Sequence, residues 1–523
     1  MASYRTHLTV LESSASLYPD SPAFRLPQLD PTTGEVCEWA TVTYSQFHHD
    51  VDHFARYWTR ELSALDVSPR SVIGAWMGGV TYVDVLHIYG IARAGYVPQL
   101  FSLRMPNPDI IFELLDKSKG AALICDPSYH STLLQTSVPA FAALDVRDAT
   151  LADTPLPPLE HRSGDETVMI FHTSGSTSGR PKLVPCSYAW WDFTLAKAEA
   201  VMAPKPARAG ARTSRGSVCH MGQSFMLAGA LQHGSCTVQY TSPAFSSAEL
   251  ADMVHRCGLT RMAQFPTYLA THLRAARCDP KLRAILQGLD EILVSGLSMS
   301  DADQRFVREN GIALMDCYGS TECGAMLLSA DARNPHVLRP VTGTSYAFVS
   351  TAQETQPESE TGYHDTNMRL LELVILADSP DCPDRALRHA DGNYHTGDLF
   401  LERERAPLRR RAIEDNVLAE CSDVVGACIV VGTGRPSPAL FVEPKQAIDG
   451  DSEELRKTII RRTRRFHARR YLHERIASPD FVVVVPVGTL PRTATKGNIR
   501  RRAVEDAFKT QLDRMYGVAP GTC

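Results

Sequence analysis

The chain has 523 residues, 44% of them hydrophobic and 22% charged, with a formal net charge of −5. That length exceeds one ordinary core and predicts at least two, while the composition excludes a disordered chain. The weak negative charge supplies no global field for nucleic acid or an anionic membrane, so any anion site must be local. Thirteen cysteines at irregular spacing, without a C-x-x-C pair or a zinc-like Cys/His cluster, argue against a disulfide framework or structural metal and for a reducing compartment. The N-terminal stretch mixes charge through its apolar positions, and no uninterrupted apolar run is long enough to span a bilayer. The C-terminus "GVAPGTC" fits neither a peroxisomal tripeptide nor a prenylation box. The expected location is cytoplasmic.

In chain order, "YVDVLHIYGIARAG" (82–95) has apolar residues at helical spacing and stops on glycine, and "YVPQLFS" (96–102) reads as strand. "AALIC" (121–125), "TVMIFHT" (167–173), "GLDEILVSG" (288–296), "LELVIL" (371–376) and "DFVVVVPV" (480–487) are short buried-strand patterns. Helices such as "SSAELADMVHRCG" (246–258), opened by a serine cap and closed by glycine, lie between them. The alternation predicts an α/β protein with mostly parallel sheets. "STAQETQPESETGYHD" (350–365) reads as a surface loop, and the Arg-rich turn in composition after "HTGDLFLERERAP" places a domain boundary near 400.

Within "MIFHTSGSTSGRPKLVP" (169–185), a strand runs into Thr173, Ser174, Gly175, Ser176, Thr177, Ser178, Gly179, Arg180, Pro181 and Lys182. Hydroxyls and glycine N–H groups at this density can wrap phosphate oxygens, and the lysine adds a point charge. The order is not the G-x-x-x-x-G-K-[ST] of a P-loop kinase or ATPase, and the bland alternative is a flexible surface loop. "YGSTECG" (318–324) offers an aromatic face at Tyr318, a glycine at Gly319, a hydroxyl at Thr321 and a carboxylate at Glu322, suited to a base, a phosphate and magnesium. "YHTGDL" (394–399) presents Asp398, whose oxygens can accept both hydroxyls of a ribose. Gly296 in "LVSGLS" lets backbone approach a flat ligand, and "LPRTATKGNIRR" (490–501) is a proline-braced turn carrying Lys496.

These stretches, in this order, resemble the adenylate-forming superfamily of acyl-CoA synthetases, luciferases and peptide-synthetase adenylation domains. The resemblance runs from "TVTYSQF" (41–47) through "ARAGYVPQLFSLR" (92–104) to the Lys496 turn, and is closest to the adenylation part of fungal synthetase-like reductases. It implies a large AMP-binding domain over 1–399 and a small α+β lid domain over 400–523. It implies ATP-dependent activation of a carboxylic acid to acyl-AMP with release of pyrophosphate, then optional transfer to a thiol of coenzyme A or a carrier's phosphopantetheine. By motif, Thr173 to Lys182 would hold the β- and γ-phosphates. Tyr318 would stack on adenine, Thr321 would touch the α-phosphate, Glu322 would help hold Mg²⁺, Asp398 would bind ribose, and Lys496 would bridge carboxylate and α-phosphate. His220, in "SVCHMGQSF", matches an acyl-pocket position, with Met221 and Gly296 beside it; a core role for His220 and Met221 is equally open. No acidic residue in "MGQSFMLAGALQHG" would pair with an α-ammonium, which favours an acid without one.

Two departures stand beside these matches. The family's last turn reads P-x-T-x-x-G-K, whereas here Lys496 precedes Gly497 and sits one residue early. After Asp398 the family continues through a strand, a G-R-x-D-D-x-I-K stretch and another strand, where this chain has only "LFLERERAPLRRRA" before Ile413 and Glu414. The missing stretch holds a hinge and a ribose-binding arginine, for which Arg409, Arg410 and Arg411 are candidate substitutes. An adenylate-binding protein without turnover, or an incomplete gene product, is therefore the competing expectation. The basic helix "RRTRRFHARRYLHER" (461–475) reads as a solvated face, or as a patch for coenzyme A or an acidic carrier protein.

Overall fold

The computed structural model describes residues 4–103, 105–130, 138–151, 154–159, 162–173, 181–204, 212–297, 299–331, 334–350, 370–401, 411–432, 437–446, 452–468, 475–476, 478–492, 499 and 501–516. Strands Val97–Ser102 and Ala122–Cys125 are buried at every position, as strands covered on both faces must be. They lie in a six-stranded sheet ordered Ala140–Ala142, Ala122–Cys125, Val72–Met77, Val97–Ser102, Thr167–Thr173, Lys182–Ser187. All neighbours run parallel except the last pair, which is an antiparallel hairpin. The helix expected from residue 82 spans Tyr82–Arg93, opened by a capping box between Thr81 and Asp84. It packs beside helix Tyr44–Ser63, whose Tyr44, Phe47, Phe54 and Trp58 are fully buried.

A nine-stranded sheet is ordered Asn334–Pro340, Gly324–Asp331, Leu314–Ser320, Glu291–Ser295, Arg261–Gln264, Arg212–Arg215, Cys236–Gln239, Pro22–Leu29, Val36–Thr43. Its interior strands pair in parallel from Leu314–Ser320 to Pro22–Leu29, and antiparallel strands close both edges. Pro22–Leu29 meets Cys236–Gln239 with Phe24 opposite Thr237. The helix read at 246–258 spans Ser247–Cys257, with Ser246 as N-cap and Gly258 left-handed at its end. Arg261 reaches across from this sheet to helix Tyr188–Met202, donating to the carbonyls of Val201 (3.1 Å) and Met202 (2.8 Å) and to Glu291 Oε1 (2.6 Å). A buried guanidinium thus satisfies the carbonyls that a helix leaves open at its C-terminus.

Strands Tyr346–Ser350, Leu370–Ile375 and Tyr394–Leu401 form a small antiparallel sheet. Beyond residue 410, strands Val425–Val431, Ala439–Pro444 and Val482–Val484 form a mixed sheet, the first pair antiparallel and the second parallel, with apolar clusters on both faces. The strand expected over 480–487 shortens to Val482–Val484, because a 3-10 turn at Pro479–Phe481 precedes it and Pro486 follows. The architecture is mixed α/β, with a large N-terminal and a smaller C-terminal domain. The basic helix spans Glu453–Ala468, and Arg462 pairs with Asp423. Residues 351–365 of the expected loop lie outside the described residues. Among the described residues no helix is long and apolar enough to cross a membrane.

Candidate functional site

Side chains alternate along the strand Leu314–Ser320. Met315 and Cys317 pack with Ala198, Phe225 and Leu293, which leaves Asp316 and Tyr318 on the opposite face. There the Tyr318 hydroxyl donates to Asp398 Oδ2, across 80 residues of sequence. Asp398 lies in strand Tyr394–Leu401, where the ladder slips in register opposite Glu372–Val374. Gly397 makes that slip possible with φ +69°, a conformation side-chain-bearing residues avoid, and its N–H donates to Glu372 Oε1 at 3.0 Å. The glycine of "TGD" therefore aims the carboxylate. Phe400 meets Tyr318 edge-on at 5.0 Å and Phe348 at 5.6 Å, bracing the tyrosine ring from the smaller sheet. Gly319 follows Tyr318, and a Cβ there would come within 2.6 Å of the Gly324 carbonyl oxygen.

Thr321 and Glu322 occupy the turn between Leu314–Ser320 and Gly324–Asp331, held by a Cys323 N–H bond to Ser320 Oγ at 3.2 Å. Glu322 is only 9% exposed. Burial pushes the Tyr394 phenol well up, and the charge and hydrogen bond of Glu322 push it further, so it donates to Glu322 rather than ionising. Asp316, on the Tyr318 face, is pushed by burial from 3.8 to about 7. A carboxyl raised on folding costs nothing below its unfolded value and its full penalty above its folded one. Asp316→Asn should therefore leave stability unchanged near pH 4 and raise it progressively to pH 8. The gain is up to a few kcal/mol at ~1.4 kcal/mol per unit, measured as the difference in Tm between variant and parent from pH 4 to 8.

Thr173 ends its strand directly opposite Lys182, which opens the antiparallel partner strand Lys182–Ser187. Thr173 is half-buried and Lys182 exposed, while Ser174, Gly175, Ser176, Thr177 and Gly179 lie outside the described residues. One residue earlier, His172 stacks on Phe101 at 4.3 Å and meets Gln99 Nε2 at 3.2 Å. Burial lowers it to about 3, so it is neutral and anchors the hairpin as a packed ring. Gly296 follows strand Glu291–Ser295 at φ +89°, and a Cβ there would stand 3.3 Å from the Phe265 ring. His220 is half-buried at the N-cap of helix Met221–Gln232 and makes no capping bond, whereas Met221 is 3% exposed within the main core.

Lys496 lies outside the described residues, but residues on either side of it are described. Arg492 and Ile499 pair across it as an isolated bridge. Glu443, 3% exposed, accepts from the Leu490 N–H at 2.7 Å and from the Arg492 guanidinium. A buried carboxylate thus pins the segment 490–492 that leads toward Lys496.

This donor set fits a magnesium nucleotide. Tyr318, Phe400 and Asp398 offer an aromatic face beside a carboxylate. Among the described residues no three His, Cys, Asp or Glu side chains form a metal cage. A lone hard carboxylate such as Glu322 suits magnesium when phosphates supply the other oxygens. Asp316, Tyr394 and Phe400 were not singled out by sequence. Asp316 and Phe400 each stand two residues from a motif residue on the same strand, and that alternation was the available signal.

The AMP-binding enzyme model matches residues 11–363, and the AMP-binding enzyme C-terminal domain model matches residues 410–519. By sequence the chain is 35% identical over 518 residues to the AMP-binding domain-containing enzyme iboA of Amanita muscaria (strain Koide BX008), covering 93% of this chain and 98% of that protein. It is 24% identical over 468 residues to the adenylate-forming reductase stbB of Stachybotrys bisbyi, covering 83% of this chain but 41% of the reductase. The fold matches o-succinylbenzoate coenzyme A synthetase of Bacillus subtilis, as a double mutant bound to a product analogue, with TM-score 0.66 at 16% identity, over 95% of this chain and 98% of that one. Its complex with ATP and magnesium gives TM-score 0.61 at 16% identity, over 95% and 98%. The amide bond synthetase McbA of Marinactinospora thermotolerans gives 0.65 at 18%, over 96% and 100%. A model spanning most of the chain, a second model over its C-terminal part and a relative matched almost end to end agree: this chain belongs to the AMP-binding family of adenylate-forming enzymes.

Proposed function

We propose that the protein activates a small carboxylic acid. The acid's carboxylate attacks the α-phosphorus of ATP, a new C–O–P bond forms, and the bond to pyrophosphate breaks, giving acyl-AMP. The observation that carries this reading is the Tyr318–Asp398 contact, which joins two distant motif segments into one wall beside Glu322. On this reading Tyr318, braced by Phe400, stacks on adenine, and Asp398 accepts the ribose hydroxyls. Thr173, Lys182 and the residues between them hold the β- and γ-phosphates, Thr321 meets the α-phosphate, and Gly296 and His220 border the acid. Glu322 would hold Mg²⁺, which neutralises phosphate charge when bound. Two anions must meet at phosphorus, so the work is positioning and charge neutralisation, and Lys496 supplies the cation on the acid side. The helix Met221–Gln232 carries no acidic side chain, which supports an acid without an α-ammonium group. Transfer of the acyl group to coenzyme A or to a carrier's phosphopantetheine would complete a ligase reaction. The boundary between its two domains falls near residue 400.

Acid-dependent ATP–pyrophosphate exchange with aryl, short aliphatic, long-chain and amino acids tests the proposal. Exchange with one class names the substrate class. Folded protein that binds ATP yet exchanges with none would favour a binding protein, the reading that the short segment after Asp398 motivates.

A further inference from the structure

Lys197 is a fully buried cation in the middle of helix Tyr188–Met202 and takes no part in the nucleotide wall. Its ammonium lies 2.8 Å from each of three acceptors: the carbonyl oxygens of Cys323 and Ala325, and Asp381 Oδ2. Three donors meet three acceptors, so the ammonium is fully used. The two carbonyls flank Gly324, which turns the hairpin at φ +67°, and the first belongs to the residue directly after Glu322. Asp381 is itself buried, accepting from Ser379 Oγ at 2.6 Å and from the Tyr346 hydroxyl. Its carbonyl takes the Trp190 indole N–H at 3.0 Å. The helix bearing Lys197 grows straight out of strand Lys182–Ser187, with Ser187 as its N-cap. One rigid element therefore begins at the lysine of the phosphate hairpin and ends its reach on the backbone of the Glu322 turn.

A buried ion pair is a poor device for stability alone, because desolvation cancels much of its attraction and neutral isosteres often do as well. Two carbonyls fixed by one ammonium do constrain a backbone. We propose that Lys197, oriented by Asp381, is a positioning residue that sets the Glu322 carboxylate for the metal ion of the nucleotide and ties it to the Lys182 hairpin. This rests on the reading of Glu322 as the magnesium carboxylate.

The test is the ratio of ATP dissociation constants without and with Mg²⁺, together with the AMP dissociation constant in EDTA and Tm. Lys197→Met alone strands the Asp381 charge and is expected to destabilise the fold, so the decisive protein is Lys197→Met/Asp381→Asn, neutral at both positions. The expected result is a Tm within a few degrees of the parent, AMP affinity within twofold, and a magnesium ratio at least tenfold smaller. A folded double variant with the parent's magnesium ratio overturns the proposal. So does a double variant that cannot fold, because the pair then serves folding alone. Glu322→Gln separates the two layers. If it leaves the parent's ratio unchanged, the reading of Glu322 fails; if it collapses the ratio while the double variant does not, only the role of Lys197 fails.

Discussion

Asp398→Ala should weaken ATP and AMP binding by about a hundredfold or more. Its carboxylate is half-buried and already bonded to Tyr318, so on the proposed reading the substitution removes acceptors for two ribose hydroxyls, and it releases the tyrosine. Hydrogen bonds to a charged acceptor contribute roughly 1.5–3 kcal/mol each, and two lost bonds correspond to about two to four powers of ten in affinity. Tyr318→Phe keeps the ring and the Phe400 contact but loses the clamp, and should cost about tenfold through one such bond. Titration of each variant with AMP measures both. A tight-binding Asp398→Ala protein would mean the nucleotide lies elsewhere.

Lys496→Ala should reduce acid-dependent pyrophosphate exchange by roughly 10²–10³-fold, the range for removing a preorganised group that meets charge developing in the transition state. ATP affinity should change less than threefold, since the segments proposed to hold the phosphates and adenosine are untouched. Glu443→Gln is the graded companion: it keeps the shape but weakens the grip on Arg492 and the Leu490 N–H at the base of the turn. It should fall between Lys496→Ala and the parent in exchange, again with ATP affinity preserved. Equal exchange in Lys496→Ala and the parent would show that the lysine, one residue early, does not reach the reacting atoms.

Much of the larger domain can be read along the chain because its signals are local. Strand Thr167–Thr173 and helix Ser247–Cys257, with their caps, depend on neighbours a few residues away. The strand over 480–487 is shorter than its pattern because four valines carry β propensity wherever they stand, whereas Pro479 and Pro486 set its length. For the site, the motifs name Tyr318, Glu322 and Asp398 as candidates. No spacing could pair Tyr318 with Asp398, or give Lys197 its three acceptors, because those contacts cross 80 to 184 residues and are made by tertiary packing. Asp316 was passed over for a related reason: its raised pKa is a property of burial, which a carboxylate does not advertise in sequence.

The nine-stranded sheet also sets an order of events at the ribosome. Pro22–Leu29 can pair at once with Val36–Thr43, but its other edge belongs to Cys236–Gln239, more than two hundred residues later. At synthesis rates of about 5–20 residues per second, that edge, with the finally buried Phe24, waits roughly 10–40 s for its partner. An unpaired strand edge is a template for other chains. The yield of folded protein should therefore respond to slower translation and chaperone supply during the first half of synthesis more than to changes near the C-terminus.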